Sequence, residues 1–265
     1  MTAEPDSLAA LQAENVRLVA LLAKHGIDWR LPSSAVQTCP ASAPKSEPPR
    51  SNLSTADKVA LFRRLFRGRT DVYPVRWEGK TSGKSGYTPA CGNEWRAGVC
   101  DKPRIKCGDC SRRLLLPLSD AVIYGHLAGE HTVGIYPLLE DDTCHFLAVD
   151  FDEADWQEDA KAFMLSCHEL GVPAALEISR SGRGAHAWVF FGGRVSARDA
   201  RRLGTAIISH TCSRTRQLKL ASYDRLFPNQ DTMPKGGFGN LIALSLQKKT
   251  KKNLYAIHHF TFLTG

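Results

Sequence analysis

Two aspartates at alternate positions, Asp150 and Asp152, end the apolar stretch HFLAVDFD at residues 145–152. Alternate side chains of a β-strand share one face, so both carboxylates are expected to point the same way. Because an unpaired buried carboxylate carries a large desolvation cost, such a strand end needs a cation or solvent beside it. Many enzymes that displace phosphoryl groups hold two Mg²⁺ or Mn²⁺ ions between carboxylates. The pair therefore predicts a two-metal site, with an exposed acidic strand end as the alternative.

A glycine-rich loop, SRSGRGAH at residues 179–186, comes later in the chain. Its glycines let the backbone approach a phosphate closely, the Ser181 hydroxyl can donate a hydrogen bond, and Arg183 adds positive charge. His186 begins the strand that follows and alternates with Trp188 on one face. The loop predicts a phosphate-binding site that includes Ser181, Arg183 and His186. A hairpin turn with a structural histidine is the alternative.

A third polar stretch, residues 222–240, supplies two more acids, Asp224 and Asp231. Either of them could be the third ligand of the predicted metal site. Arg225 and Lys235 could offset the charge of a triphosphate, and we count Lys235 among the predicted nucleotide-binding residues. The alternative is a long surface loop, and loops of this length are usually functional or mobile.

Four cysteines lie within 20 residues rich in glycine and charge, with the spacing C-x8-C-x6-C-x2-C. Four thiolates in such a loop are typical of a closed tetrahedral Zn²⁺ site, which would fold a segment too polar to fold by itself. A redox CxxC is disfavoured because no strand–helix unit follows it. The sequence therefore predicts a structural zinc knuckle at residues 91–110, with these ligands: Cys91, Cys100, Cys107 and Cys110. The basic residues around it predict either a nucleic-acid grip or a solvated charge run.

The 265 residues carry a net charge of +8 and a sequence pI near 9.1, which favours a polyanionic partner, nucleic acid first. The chain lacks an apolar run of about 18 residues, and its first residues do not resemble a signal peptide. We therefore expect no membrane association and a cytoplasmic location. In that compartment the eight cysteines should be reduced or metal-bound.

Residues 1–30 are predicted to form an N-terminal helix, with leucines at heptad spacing from Leu8 to Leu22 and Asn15 within that seam. This helix predicts either a homodimeric coiled coil or packing on the rest of the protein. Residues 31–54, rich in proline and serine, predict a flexible linker. The remaining chain, residues 55–265, alternates helical and strand patterns and predicts an α+β body. Helices are predicted at 55–66, 118–127, 155–170 and 197–210, and strands at 133–139, 145–152, 174–178, 185–191 and 239–246.

Taken in order, the three polar motifs resemble those of the archaeo-eukaryotic primase superfamily. That superfamily has an acid-x-acid strand end, a small-x-His loop that leads into a strand, and a lone acid. Longer stretches resemble more narrowly the primase–polymerase domain of TOTE conflict systems, which are bacterial anti-invader cassettes. These stretches are residues 61–78, the four-cysteine knuckle, and residues 135–152, 179–191 and 222–247. The similarity spans about residues 51–250, and Ser245 departs from it because we expect a proline there.

The resemblance implies a nucleotidyltransferase that starts chains as a primase and extends them as a DNA polymerase. It implies a primase fold over residues 55–265, with an RRM-like catalytic sheet, a smaller α/β module and the zinc knuckle near the template. Asp150, Asp152 and Asp224 would hold two catalytic Mg²⁺ or Mn²⁺ ions, and Ser181 and His186 would hold the triphosphate.

The implied partners are a single-stranded DNA template, a primer strand and NTP or dNTP. A helicase or nuclease partner, or a longer protein that carries such domains, is also expected. The alternatives are a non-catalytic zinc-knuckle nucleic-acid-binding module and a two-metal nuclease.

Overall fold

A computed structural model describes residues 53–79, 82–152, 155–179, 182–214 and 223–247, together with the isolated positions Arg17, Ala20, Leu21 and Lys24. Apart from those positions and residues 53–54, the predicted N-terminal helix and linker lie outside the described residues, as does Ser181. The chain divides into two units, Met1–Asn52 and Leu53–Gly265, and every element below belongs to the second. Within the described ranges, none of the helices combines the length and apolar character that a membrane crossing requires.

The described part of the second unit is a mixed α+β structure. Its helices are α1 (Thr55–Leu65), α2 (Asp120–Ala128), α3 (Trp156–Glu169) and α4 (Ala197–Arg214). Its strands are β1 (Pro74–Glu78), β2 (Ser85–Pro89), β3 (Gly134–Ile135), β4 (Thr143–Asp152), β5 (Ala175–Ile178), β6 (Gly184–Ser196), β7 (Tyr223–Phe227) and β8 (Ile242–Ala243). A short 3₁₀ helix spans Cys107–Asp109.

Helix ends follow local sequence signals. At the start of α1, the Ser54 hydroxyl accepts a hydrogen bond from the Asp57 backbone N–H at 3.1 Å, while the Asp57 carboxylate accepts one from the Ser54 N–H at 3.2 Å. This reciprocal capping box satisfies N–H groups that a helix start leaves without partners. Gly129 ends α2 in the left-handed conformation (φ 85°), which a residue without Cβ adopts readily.

The main sheet is antiparallel and has the strand order β5-β6-β4-β7. Helix α3 joins β4 to β5, and α4 joins β6 to β7. This β-α-β-β-α-β succession with the first and third strands in the centre is the ferredoxin-like arrangement, which RRM domains share. Strands β1–β2 and β3–β8 form two smaller antiparallel sheets.

Strand β4 is central, and its alternate side chains enter two different cores. Phe146 and Ala148 pack with side chains of α1 and α2, such as Phe62 and Ile123. Side chains of the opposite face pack with α3 and α4, and they are Leu147, Val149 and Phe151. Because the period is two, Asp150 and Asp152 continue the face of Phe146 and Ala148 at the end of the strand.

Several strand predictions need correction. The predicted strand at 133–139 is reduced to β3, because Pro137 has no N–H to continue a ladder and the chain turns there toward β4. The predicted strand at 239–246 is reduced to β8, which follows Gly239 with its positive φ of 72°. The β1–β2 hairpin was not predicted. The stretch that follows residue 222 opens as strand β7, so the alternative of a continuous surface loop is wrong there.

Candidate metal and nucleotide site

Three aspartates converge at one end of the main sheet. Carboxylate oxygens of Asp150, Asp152 and Asp224 all lie within 4.8 Å of one another. Strand β4 supplies the first two as alternate residues, and β7 beside it supplies the third. Within the described ranges, this is the one group of three or more histidine, cysteine or carboxylate side chains with ligand atoms that close together. The period-two prediction for Asp150 and Asp152 thus agrees with their placement.

A β-bulge brings Asp224 to this cluster. Asp150 pairs with Arg225 and Phe151 pairs with Tyr223, so Asp224 is an extra residue without a partner on β4. A bulge of this kind redirects a side chain, and bulges are frequent beside active sites. The other acid of the stretch lies elsewhere, because Asp231 pairs with Arg201 of α4. The structure therefore places Asp224, and not Asp231, beside the β4 pair.

The aspartate cluster is electrostatically strained without a cation. Burial, opposed by the charge of His186, raises the pKa of Asp150 to about 6, and the carboxylates of Asp152 and Asp224 raise it further in the same direction. Arg225 pairs with Asp224 and offsets part of the negative charge. Three carboxylates on fixed backbone are the oxygen donors that Mg²⁺ and Mn²⁺ prefer, so the residues present fit such ions.

His186 lies on β6 next to the cluster. The three strands place Asp150, His186 and Glu177 side by side as register partners. The Nε2 atom of His186 is 3.4 Å from Asp150 Oδ1, and its Nδ1 atom is 3.3 Å from Glu177 Oε2. Burial lowers the pKa of His186, but the hydrogen bond to Glu177 and the charges of Glu177 and Asp150 outweigh it, so the pKa is raised overall.

Glu177 is a residue of this site that the sequence analysis missed. Its Oε2 accepts hydrogen bonds from Trp188 Nε1 at 3.1 Å and from the Ser245 hydroxyl, besides its contact with His186. Ser245 is the position at which the resemblance led us to expect proline, which could not donate this bond. The available signal was a glutamate inside the apolar strand sequence ALEI, since a carboxylate there needs partners.

The glycine-rich loop adjoins the aspartates. Gly184 pairs with Asp152, and a Cβ on Gly184 would lie 2.5 Å from the Phe151 carbonyl oxygen and 2.3 Å from Asp152 Oδ1, so only glycine fits there. Arg183, the residue before it, is exposed. Lys235 is exposed on a different part of the chain, and the carbonyl of its neighbour Gly236 accepts a hydrogen bond from Arg113, which belongs to the region of the cysteines. No described contact joins Lys235 to the aspartates.

The four cysteines surround a cavity of their own, which Cys91, Cys100, Cys107 and Cys110 all line. The Leu114 backbone N–H lies 3.3 Å from Cys91 Sγ, and Thr88 Oγ1 lies 3.8 Å from Cys107 Sγ. Thiol donors around one cavity fit a zinc ion chemically. Their sulfurs, although all described, do not form a group of ligand atoms within 4.8 Å, so zinc binding stays a prediction.

Comparisons with known proteins place the chain in a family. A family model described as "TOTE conflict system, Archaeo-Eukaryotic Primase domain" matches residues 57–259. No curated protein matches the chain. Among solved structures, the polymerase domain of Mycobacterium tuberculosis ligase D in complex with DNA matches at 15% identity and a TM-score of 0.40, with 62% of this chain and 61% of that chain covered. Because the family model matches most of its residues, the chain belongs to the Archaeo-Eukaryotic Primase domain family of TOTE conflict systems.

Proposed function

We propose that this chain is a template-directed nucleotidyltransferase that synthesises primers and extends DNA by two-metal catalysis. The observation that carries the proposal is the convergence of Asp150, Asp152 and Asp224 within 4.8 Å, next to His186 and the glycine-rich loop. Membership of the primase domain family supports the reaction class. The description of that family also supports a role in an anti-invader cassette, where a helicase or nuclease would be the partner.

We assign the three aspartates to hold two Mg²⁺ or Mn²⁺ ions. When bound, such ions lower the pKa of an attacking hydroxyl and neutralise the charge that develops on leaving pyrophosphate. The protein contributes ligands that the β4–β7 ladder already holds together, so little reorganisation is needed when the substrates arrive. The attacking group is the 3′-hydroxyl of a primer or of a first nucleotide, which attacks the α-phosphorus of the incoming NTP or dNTP.

We assign the triphosphate to the other side of the site. His186, held between Glu177 and Asp150, would donate a hydrogen bond from Nε2 to a phosphate oxygen. Ser181 and Arg183 would contact the same phosphates from the loop, and the backbone at Gly184 allows a close approach. Lys235 would offset the charge of the same triphosphate from its own loop. Its exposed position permits this contact.

The four cysteines would bind structural Zn²⁺, separately from the catalytic ions. The predicted homodimer through residues 8–22 also remains a proposal. Neither feature supplies a ligand or a reacting group at the aspartates, so the failure of either prediction would leave the proposed reaction in place.

The test is incorporation of labelled nucleotides on single-stranded DNA, with and without a primer, in Mg²⁺ or Mn²⁺ and with NTP or dNTP pools. We expect products that depend on template and metal. Asp224→Asn should eliminate them, and the matched variant Asp231→Asn, seven residues away and paired with Arg201, should retain them.

Two results would overturn the proposal. Salt-sensitive DNA binding without incorporation under any of these conditions would indicate a non-catalytic binding module. Template shortening in place of extension would indicate a two-metal nuclease. Equal loss in Asp224→Asn and Asp231→Asn, with both proteins folded, would remove the assignment of the third acid.

A further inference from the structure

Trp95 is the most exposed large hydrophobic side chain among the described residues, with 67% of its surface accessible. It lies between Cys91 and Cys100, and its backbone has a φ of 59°, in the left-handed region. A bulky residue is rare in that region, and such strained positions cluster at binding sites. An exposed indole on a strained backbone costs folding free energy. This cost is a reason to look for a ligand that the ring contacts.

The surroundings of the ring are fixed and positively charged. Lys102 Nζ lies 5.6 Å from the Trp95 ring centroid. Two further contacts hold this ammonium group, one to Glu94 Oε1 at 2.6 Å and one to Thr88 Oγ1 at 2.7 Å. Because Thr88 belongs to β2, Lys102 connects the indole to the β1–β2 hairpin. The exposed ring therefore lies beside a side chain that two polar contacts hold in place.

Basic residues outnumber acidic ones around this tryptophan. Residues 91–113, here called the cysteine segment, contain six arginines and lysines and three aspartates and glutamates. Two of the acids are neutralised inside the segment, since Glu94 pairs with Lys102 and Asp101 pairs with Arg112. Four of the basic residues are exposed, and three of these, Arg96, Arg104 and Lys106, are not the ones that pair with Glu94 or Asp101. The segment that carries Trp95 therefore complements a phosphodiester chain in charge.

Besides the contact of Lys102 with Thr88, Arg113 joins the cysteine segment to the rest of the unit. The Arg113 guanidinium donates to the carbonyl of Gly108 at 2.9 Å and to that of Gly236 at 3.1 Å. It also lies 5.2 Å from the ring centroid of Phe238. Gly236 and Phe238 belong to the chain that follows β7, the strand that carries Asp224. The segment is thus fixed to the protein.

We propose that Trp95 is a stacking platform for an unpaired base of single-stranded nucleic acid, with Arg96, Arg104 and Lys106 contacting the neighbouring phosphates. An exposed aromatic ring among basic side chains is the composition of surfaces that bind single strands without sequence preference. The inference rests on the proposed function only in identifying this strand as the template. A protein partner would instead use the ring as an apolar contact, and the test below distinguishes the two.

The experiment measures binding of a labelled oligo-dT strand to the full chain by fluorescence anisotropy, together with quenching of tryptophan emission. We expect Trp95→Ala to weaken binding about 10- to 100-fold and to lose most of the quenching, while Trp95→Phe keeps most of the affinity. Trp95→Gly is a second variant, because glycine adopts the observed φ without strain. The matched control is Trp77→Ala, since Trp77 is also exposed, at 45%, but lies on β1.

Wild-type affinity in folded Trp95→Ala and Trp95→Gly would overturn the proposal and leave the ring to a protein partner. Equal affinity of the wild type for blunt duplex and for oligo-dT would also overturn it, because paired bases cannot stack on the indole. Binding is measured without metal or nucleotide and repeated in Asp150→Asn. A protein that fails to polymerise can therefore still confirm the stacking platform, and a polymerase can still refute it.

Discussion

The two predicted metal sites of this chain lie on backbone segments with different amounts of regular structure. The three aspartates lie on β4 and β7, whose ladder and bulge bring their oxygens within 4.8 Å. The four cysteines lie on a segment whose regular structure is the short 3₁₀ helix Cys107–Asp109 and a single bridge between Cys91 and Leu115. They share a cavity, but their sulfurs are not gathered as the carboxylates are.

The comparison shows what each ion would have to supply. Backbone hydrogen bonds of the sheet already hold the carboxylates together against their mutual repulsion, so ions there would serve chemistry. In the cysteine segment the backbone hydrogen bonds are mostly those of local turns and no strand ladder joins the four ligands, so an ion there would supply folding free energy. Loss of the ligands should therefore cost activity at the first site and local structure at the second.

The largest expected effect is at the aspartates. Asp150→Ala combined with Asp152→Ala should reduce nucleotide incorporation by about 10³-fold or more, because several kcal/mol of transition-state stabilisation is lost. The circular dichroism spectrum and the affinity for single-stranded DNA should be retained. Synthesis at wild-type rates in this variant would contradict the catalytic role of these aspartates. It would also remove the proposed difference in function between the aspartate site and the cysteine site.

The next effect concerns the cysteine segment. Cys107→Ser combined with Cys110→Ser should release zinc and make residues 91–113 sensitive to proteolysis, since the segment depends on the ion for its fold. Metal content by mass spectrometry and limited digestion with trypsin measure both. Wild-type protein purified without chelators and found to contain no zinc would refute the predicted knuckle. Cys144→Ser is the control, because Cys144 is buried in the sheet and away from the cavity.

A smaller effect is expected at Glu177, which we regard as a positioning residue for His186. Glu177→Gln keeps the shape but weakens a charge-assisted hydrogen bond, so the KM for the nucleotide should rise about 10-fold while kcat changes less. Ser245→Ala, which removes one of the hydrogen-bond donors to Glu177, should also raise the KM for the nucleotide, but by a smaller factor. A fall in kcat at constant KM would contradict this role.

The smallest effect is on stability and depends on pH. The pKa of Asp150 is raised from its ordinary 3.8 to about 6, so its ionisation opposes folding. This carboxyl is stabilising below pH 3.8, and the contribution is lost as pH rises through about 6. Without metal, Asp150→Asn should be more stable than the wild type at pH 8 by about 1 kcal/mol after solvent screening, and equal to it near pH 4.

Thermal denaturation with and without Mn²⁺ measures this difference. Mn²⁺ should raise the Tm of the wild type at pH 8 more than that of Asp150→Asn. The gain should shrink below pH 6, because protons then compete with the ion for Asp150. An identical response of both proteins would show that the ion binds elsewhere.

The parts of the site that follow from local periodicity could be predicted from the sequence. Asp150 and Asp152 required only the alternation of a strand, and helices α1, α3 and α4 required only their apolar spacing. Asp224 could not be separated from Asp231, because the choice depends on a bulge in the β4–β7 ladder. Glu177 was missed for a related reason, since its partner His186 is set by the register of β5 against β6.

The most direct test of the central claim is a crystal soaked with Mn²⁺ and a non-hydrolysable nucleotide, with anomalous diffraction to locate the ions. The account predicts two manganese peaks among the carboxylates of Asp150, Asp152 and Asp224, with the triphosphate extending toward His186. Manganese bound elsewhere, or carboxylates that turn away from one another when nucleotide is bound, would contradict it.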